Sequence, residues 1–114
     1  MFEDRTVVGL IEDITILNDV DSINVKARID TGATRSSVNE SIAEKLNAEE
    51  TGTTTVKSSH GITKRKIVKL TIKISGKEIT GTFSVFNRSH MTYPVLIGQN
   101  ILKQNFIIDP KKEV

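Results

Sequence analysis

Asp30 ends a run, Ile23-Asn24-Val25-Lys26-Ala27-Arg28-Ile29, in which apolar and polar residues alternate, and it is followed by Thr31-Gly32-Ala33. Alternation of this kind marks a half-buried strand. The carboxylate is therefore carried on stiff backbone and presented at a turn, where it can take a proton from, or give one to, a water or a substrate atom. Gly32 lets the backbone turn sharply and a bound chain come close. The same four residues also suit an ordinary turn at a strand end. A second stretch, Val95-Leu96-Ile97-Gly98-Gln99-Asn100-Ile101-Leu102, reads as a buried strand, a glycine and a helical turn. It offers the apolar, preorganised wall that an isolated acid needs for hydrolytic work, although a core strand running into a helix would look the same.

Other chemistries find few residues. The chain has no Cys and only two His, which removes disulfides, thiolate nucleophiles and Cys-based zinc sites together. His60 and His90 stand alone in expected loops and do not make a His-Glu-X-X-His zinc site, and no Gly-X-X-X-X-Gly-Lys-Ser/Thr loop is present for ATP phosphates. No bound metal and no cofactor are expected; stoichiometric zinc in the purified protein would overturn this.

The elements that must hold these residues are strands. Ile, Thr and Val number 15, 13 and 10 among 114 residues, against five aromatics. β-Branched side chains suit a pleated sheet, so the composition leans all-β, with residues 1–114 as one domain able to bury about two-thirds of its unfolded surface. Strands are expected over residues 6–11, continued or partnered by 14–17, and over 23–29. Asn39 would cap a short helix burying Ile42, Ala43 and Leu46. A polar hairpin would span the Thr51-Gly52-Thr53 and Ser58-Ser59-His60-Gly61 region. A second hairpin, 68–74 with 79–85, would turn at Ser75-Gly76-Lys77. After a loop at 87–93 come a short strand at 94–98, a helical turn at 100–104 and a last strand at 106–109. No apolar run approaches the ~18 residues of a membrane span, and Met1-Phe2-Glu3-Asp4 does not read as a signal peptide, so a cytoplasmic domain without membrane contact is expected.

Charge is polarised along the chain. Residues 1–50 carry 11 acids and 5 bases, net −6; residues 51–114 carry 3 acids and 11 bases, net +8. Either the halves interleave with their charges in water, or a basic face lies beside a groove and attracts an acidic partner.

Asp30-Thr31-Gly32-Ala33 and Leu96-Ile97-Gly98-Gln99-Asn100-Ile101-Leu102, with a polar, glycine-bearing segment between them, resemble the two signatures of the retropepsin-like aspartic proteases. Val7-Val8-Gly9, residues 27–33 and Arg88-Ser89-His90-Met91-Thr92-Tyr93-Pro94-Val95-Leu96-Ile97-Gly98 resemble, in order, a bacterial and archaeal branch labelled an ATP-dependent zinc protease. The likeness covers roughly residues 6–110.

This resemblance implies a closed all-β acid-protease barrel with one or two short helices and a single-lobe subunit, acting as an aspartic endopeptidase. Such chemistry uses two carboxylates that share one proton, one activating a water and the other protonating the scissile carbonyl. The chain has one Asp-Thr-Gly, and Asp109, before Pro110 and lacking the turn, is rejected as the partner. The implied unit is a homodimer with one Asp30 from each copy. Thr31 would hydrogen-bond across the two-fold axis, Gly32 would contact substrate backbone, Ala33 would line a subsite, and Gly98 would pack under the active loop. Residues 56–66 would form a flap with Ser59, His60, Gly61 and Ile62 about its tip. Two departures stand out: Thr34 and Gln99 replace the Asp and Arg that pair in viral members. An acidic start (Glu3, Asp4) and a basic end (Lys111, Lys112) would complement each other at the termini.

The substrate would be a protein or peptide, with acidic segments as one candidate because Lys57, Lys64, Arg65, Lys66 and Lys69 cluster about the flap. Relatives in that branch are associated with ATP-grasp ligases that append glutamates. A non-catalytic protein-binding module on the same fold is the alternative. Nucleic-acid binding is not expected, because the stacking aromatics it requires are nearly absent.

Overall fold

The computed structural model describes residues 3–112; Met1 and Phe2 of the opening segment, together with Glu113 and Val114, lie outside the described residues. Its elements run β1 (Thr6–Val8), β2 (Ile11–Leu17), β3 (Ser22–Ile29), β4 (Ser36–Asn39), α1 (Glu40–Lys45), β5 (Glu49–Ser58), β6 (Gly61–Ile74), β7 (Lys77–Phe86), β8 (Val95–Ile97), α2 (Gln99–Leu102) and β9 (Phe106–Ile108). Strands β2, β3, β8, β4, β7 and β6 are hydrogen-bonded in that order, and β6 returns to β2. The result is a closed six-stranded barrel. β5 adds to the outside of β6, while β1 and β9 form a separate parallel pair.

Alternation builds the barrel interior. Ile14 and Ile16 of β2, Val68, Leu70, Ile72 and Ile74 of β6, and Ile79 and Phe83 of β7 are all buried. The β6–β7 hairpin turns at Ser75 and Gly76, with φ of 50° and 80°, the left-handed pair that a tight hairpin requires. α1 buries Ile42 and Ala43, and Leu46 follows at its C-cap. Asn39 holds the N-cap position but makes no side-chain capping bond. Its Oδ1 instead accepts the Arg88 N–H at 2.6 Å, and its Nδ2 donates to Ser41 Oγ.

Two segments differ from the sequence reading. Ser36-Ser37-Val38-Asn39 shows no alternation, yet it forms β4, parallel to β7 and antiparallel to β8. The neighbouring strands supply its partners. The stretch 6–11 breaks at Gly9, whose N–H donates to the buried Glu12 carboxylate at 2.7 Å. Lys112 Nζ reaches the same Oε2 at 2.9 Å and also donates to Val7 O and Ser75 Oγ. A Cβ on Gly9 would lie 2.7 Å from Lys112 O, so only glycine fits beneath this clasp. Lys112, offered by the sequence as a complement to Glu3 and Asp4, is thus engaged by Glu12.

Glu12→Ala would leave a half-buried ammonium and the Gly9 N–H without their acceptor. The expected loss is about 2–3 kcal/mol, read from urea unfolding. No helix among the described residues is long and apolar enough to cross a membrane.

Candidate active site

β3 delivers Asp30. Its last residues pair with β8, Arg28 with Leu96 and Ile29 with Ile97, and the Asp30 N–H continues the ladder to Ile97 O at 2.9 Å. Beyond it the chain folds back: Ala33 N–H donates to Asp30 O at 3.3 Å, and Gly32 N–H donates to Asp30 Oδ1 at 2.9 Å. The start of α2 then grips the loop, Gln99 N–H donating to Ala33 O at 2.8 Å and Asn100 N–H to Thr34 O at 3.3 Å. The Gln99 side chain adds a bond to Thr31 O at 2.8 Å. Gln99 therefore ties the two signature segments together.

Beneath the loop lies a polar knot. Ser36 Oγ accepts the Gly98 N–H at 2.8 Å and donates to Asn100 Oδ1 at 2.8 Å, which also accepts the Ser36 N–H; Asn100 Nδ2 donates onward to Thr82 O. Ser36 is fully buried, and these bonds satisfy it as burial demands. Gly98 sits where a Cβ would come within 2.8 Å of Ala33 O and of the Arg35 carbonyl, so close packing under the loop needs glycine. Gly32 is less tightly constrained. Its φ is not in the left-handed region, so the expected sharp turn is not what requires glycine; a Cβ there would instead meet Asp30 Oδ1 at 3.3 Å.

The loop is fixed in backbone but open in chemistry. Asp30 is half-buried, Thr31 and Gly32 are exposed, and among the described residues neither Asp30 Oδ2 nor the Thr31 hydroxyl has a hydrogen-bond partner. Ser59 and His60 form the turn between β5 and β6, where Ser58 pairs with Gly61 (φ 114°) and Lys57 with Ile62. Ile62 is 70% exposed at this tip. His60 and His90 occupy separate exposed turns.

The basic run on β6 divides. Lys64, Arg65 and Lys66 border a cleft of about 430 Å³ whose other wall carries Glu40 and Glu44 of α1. Arg65 also borders a cavity of about 290 Å³ that includes Ala33, Arg35, Phe86, Arg88 and Leu96. Ser36, Asn100, Phe86 and Arg88 were assigned no role from the sequence. Asn100 stands within the second signature and Arg88 opens the long closing motif, while Ser36 and Phe86 lie outside both.

Barrel and loop together define a retropepsin-like aspartic protease fold. The chain is similar to simian foamy virus protease (22% identity, TM-score 0.63, covering 82% of this chain and 91% of that one). It is similar also to EIAV protease in complex with the inhibitor HBY-793 (21%, TM-score 0.59, 89% and 88%). A Legionella pneumophila protein of unknown function shares 25% identity at a TM-score of 0.66, over 92% and 93% of the two chains. No curated protein matches the chain. Residues 39–114 match the RimB-like family, described as the retropepsin-like aspartic endopeptidase RimB, and the chain belongs to that family. The matched span begins after the Asp30 loop.

Proposed function

We propose that this chain is an aspartic endopeptidase whose catalytic pair consists of Asp30 from each of two copies. One observation carries the reading: the Asp30 loop is pinned by backbone bonds to β8 and α2, while Asp30 Oδ2 and the Thr31 hydroxyl stay free. A second copy related by a two-fold axis would give both groups their partners. Family membership supports the chemistry. The closing segment 88–98 supports, in addition, the bacterial and archaeal branch it resembles.

In the assembled pair the two carboxylates share a proton. The ionised one takes a proton from water, whose oxygen attacks the scissile carbonyl, while the protonated one donates to the carbonyl oxygen. The pair titrates as a unit, so neither role belongs to one copy. Ala33 lines a subsite, Gly32 meets substrate backbone, Gly98 supports the loop, and the β5–β6 tip with Ser59, His60, Gly61 and Ile62 closes over bound peptide and excludes water. The substrate is a protein or peptide, with an acidic segment as one candidate.

A mixing experiment tests the shared site. Wild-type and Asp30→Asn subunits are allowed to exchange, and hydrolysis of a peptide library is followed with sedimentation as the control. Activity is expected to fall with the square of the wild-type fraction, to about one quarter in an equal mixture of fixed total concentration. A linear dependence would mean that each chain works alone and would sink the proposal.

A further inference from the structure

Gly9 and Leu10 form the corner between β1 and β2, and packing does little to hold it. Gly9 has no side chain, Leu10 is 52% exposed and Val7 is 40% exposed, so only Val8 offers a side chain to the core. Polar bonds hold the corner instead. Glu12 Oε2 accepts the Gly9 N–H at 2.7 Å and Lys112 Nζ at 2.9 Å. Lys112 Nζ also donates to Val7 O at 3.0 Å and to Ser75 Oγ at 2.8 Å, so its three protons are all committed. Ser75 Oγ, from the β6–β7 turn, donates in turn to Val7 O at 2.8 Å. Glu12 is only 3% exposed, and a carboxylate that far from water needs its cation.

The corner matters for what Leu10 holds. Its carbonyl accepts the Ile29 N–H at 2.9 Å, one step beyond the last β2–β3 pair, Ile11 with Arg28. Ile29 immediately precedes Asp30, whose own N–H is bound by Ile97 O at 2.9 Å. The strand end that carries the carboxylate is thus fixed between two carbonyls. On the Ile97 side, the Gly98, Ser36 and Asn100 knot is the support. On the Leu10 side, the support comes from beyond β9. There the Lys112 N–H donates to Asp109 O at 3.0 Å, and the Asp109 N–H donates to Val8 O at 2.8 Å, which brings the ammonium under the corner.

We propose that Lys112 is a positioning residue for hydrolysis, acting on Asp30 through Glu12, the Gly9–Leu10 corner and the Ile29 N–H. The inference rests on the reading of Asp30 as the catalytic carboxylate. Lys112 touches no reacting atom; it sets where the strand end lies. Without its ammonium, Glu12 keeps the Gly9 N–H as its one donor among the described residues. A buried carboxylate left with one donor draws in water, and the corner that carries Leu10 O moves with it. The Ile29 N–H then loses its acceptor, and Asp30 is held from the Ile97 side alone. Two carboxylates that share one proton tolerate little displacement, so the barrel can stay folded while turnover falls.

The chain has no Cys, so a single thiol can be placed in the full chain and the cation rebuilt on it. In Lys112→Cys, kcat on a library peptide is expected to fall about tenfold while KM changes by less than about twofold. Exchange of the Ile29 amide proton, followed by NMR, should quicken about tenfold, with thermal unfolding as the check on folding. Alkylation with 2-bromoethylamine, in which the thiolate displaces bromide, leaves a thioether that ends in an ammonium. Both readouts should then return to within about twofold of wild type. Iodoacetamide, which leaves a neutral cap, should restore neither. Lys111→Cys, exposed and one residue away, is the control and should match wild type under both reagents. Lys112→Met keeps the stem without its charge and decides the matter should Lys112→Cys fail to fold. An unchanged kcat, a kcat restored by the neutral cap, or an Ile29 amide that exchanges as in wild type each overturns the proposal. If the wild type hydrolyses no peptide, the peptidase reading fails, and Ile29 exchange alone upholds or overturns the link from clasp to loop.

Discussion

Asp30→Asn is expected to abolish peptide hydrolysis, lowering kcat/KM on the order of 10⁴-fold or more, with no loss of fold. An amide cannot take the proton from water or return one to the carbonyl oxygen. The structural duty of the residue survives the change: Asn Oδ1 can still accept the Gly32 N–H that Asp30 Oδ1 now accepts at 2.9 Å, and the Asp30 N–H bond to Ile97 O is untouched. Thermal unfolding of the variant should therefore match wild type, which separates lost chemistry from lost structure. Asp109→Asn is the control. That exposed carboxylate accepts only the Lys111 N–H at 3.0 Å, and activity should persist. Hydrolysis retained by Asp30→Asn would end the catalytic assignment.

Gly98→Ala should carry the second largest effect. The new methyl would sit 2.8 Å from Ala33 O and from both atoms of the Arg35 carbonyl. These are backbone atoms of the loop itself, and they cannot swing aside as a side-chain tip would. The Gly98 N–H is also committed to Ser36 Oγ at 2.8 Å, so retreat from the loop breaks that bond. Overpacking of this sort costs about 3 kcal/mol, and a loop displaced by about 1 Å costs on the order of 100-fold in rate. Urea unfolding and kcat/KM measured well below the unfolding midpoint report the two effects separately. Gly52→Ala, where a Cβ would meet nothing within 4 Å, should change neither. Full kcat/KM in folded Gly98→Ala would show that the loop does not depend on this support.

What could be read in the sequence was local. The Asp30 turn, the strand–glycine–helix of residues 95–102, and the hairpin around Ser75 and Gly76 each declare themselves within about ten residues, through alternation and turn chemistry. β4 could not be read, because Ser36 and Ser37 are polar residues buried for their hydroxyls and their strand partners lie some 50–60 residues away in β7 and β8. The break at Gly9 depends on Lys112, about a hundred residues distant. The basic run 64–66 was visible as composition but not as direction. Neighbouring side chains on a strand point to opposite faces; all three residues border the cleft beside α1, and Arg65 alone of them also stacks on Phe86. The cavity around Arg88 gathers residues from five strands and the loop, and no window of sequence contains it.

The parallel pairing of β1 with β9, Thr6 opposite Phe106 and Val8 opposite Ile108, has a consequence for how the chain comes to life. On the ribosome, the first strand waits without its partner until synthesis has passed residue 108. The Asp30 loop likewise has no floor until residues 95–100 have emerged. Contacts of such long span close late and slowly, whereas the β5–β6 and β6–β7 hairpins can form at once. A nascent chain would thus hold the β5–β6 hairpin before it holds an ordered Asp30 loop.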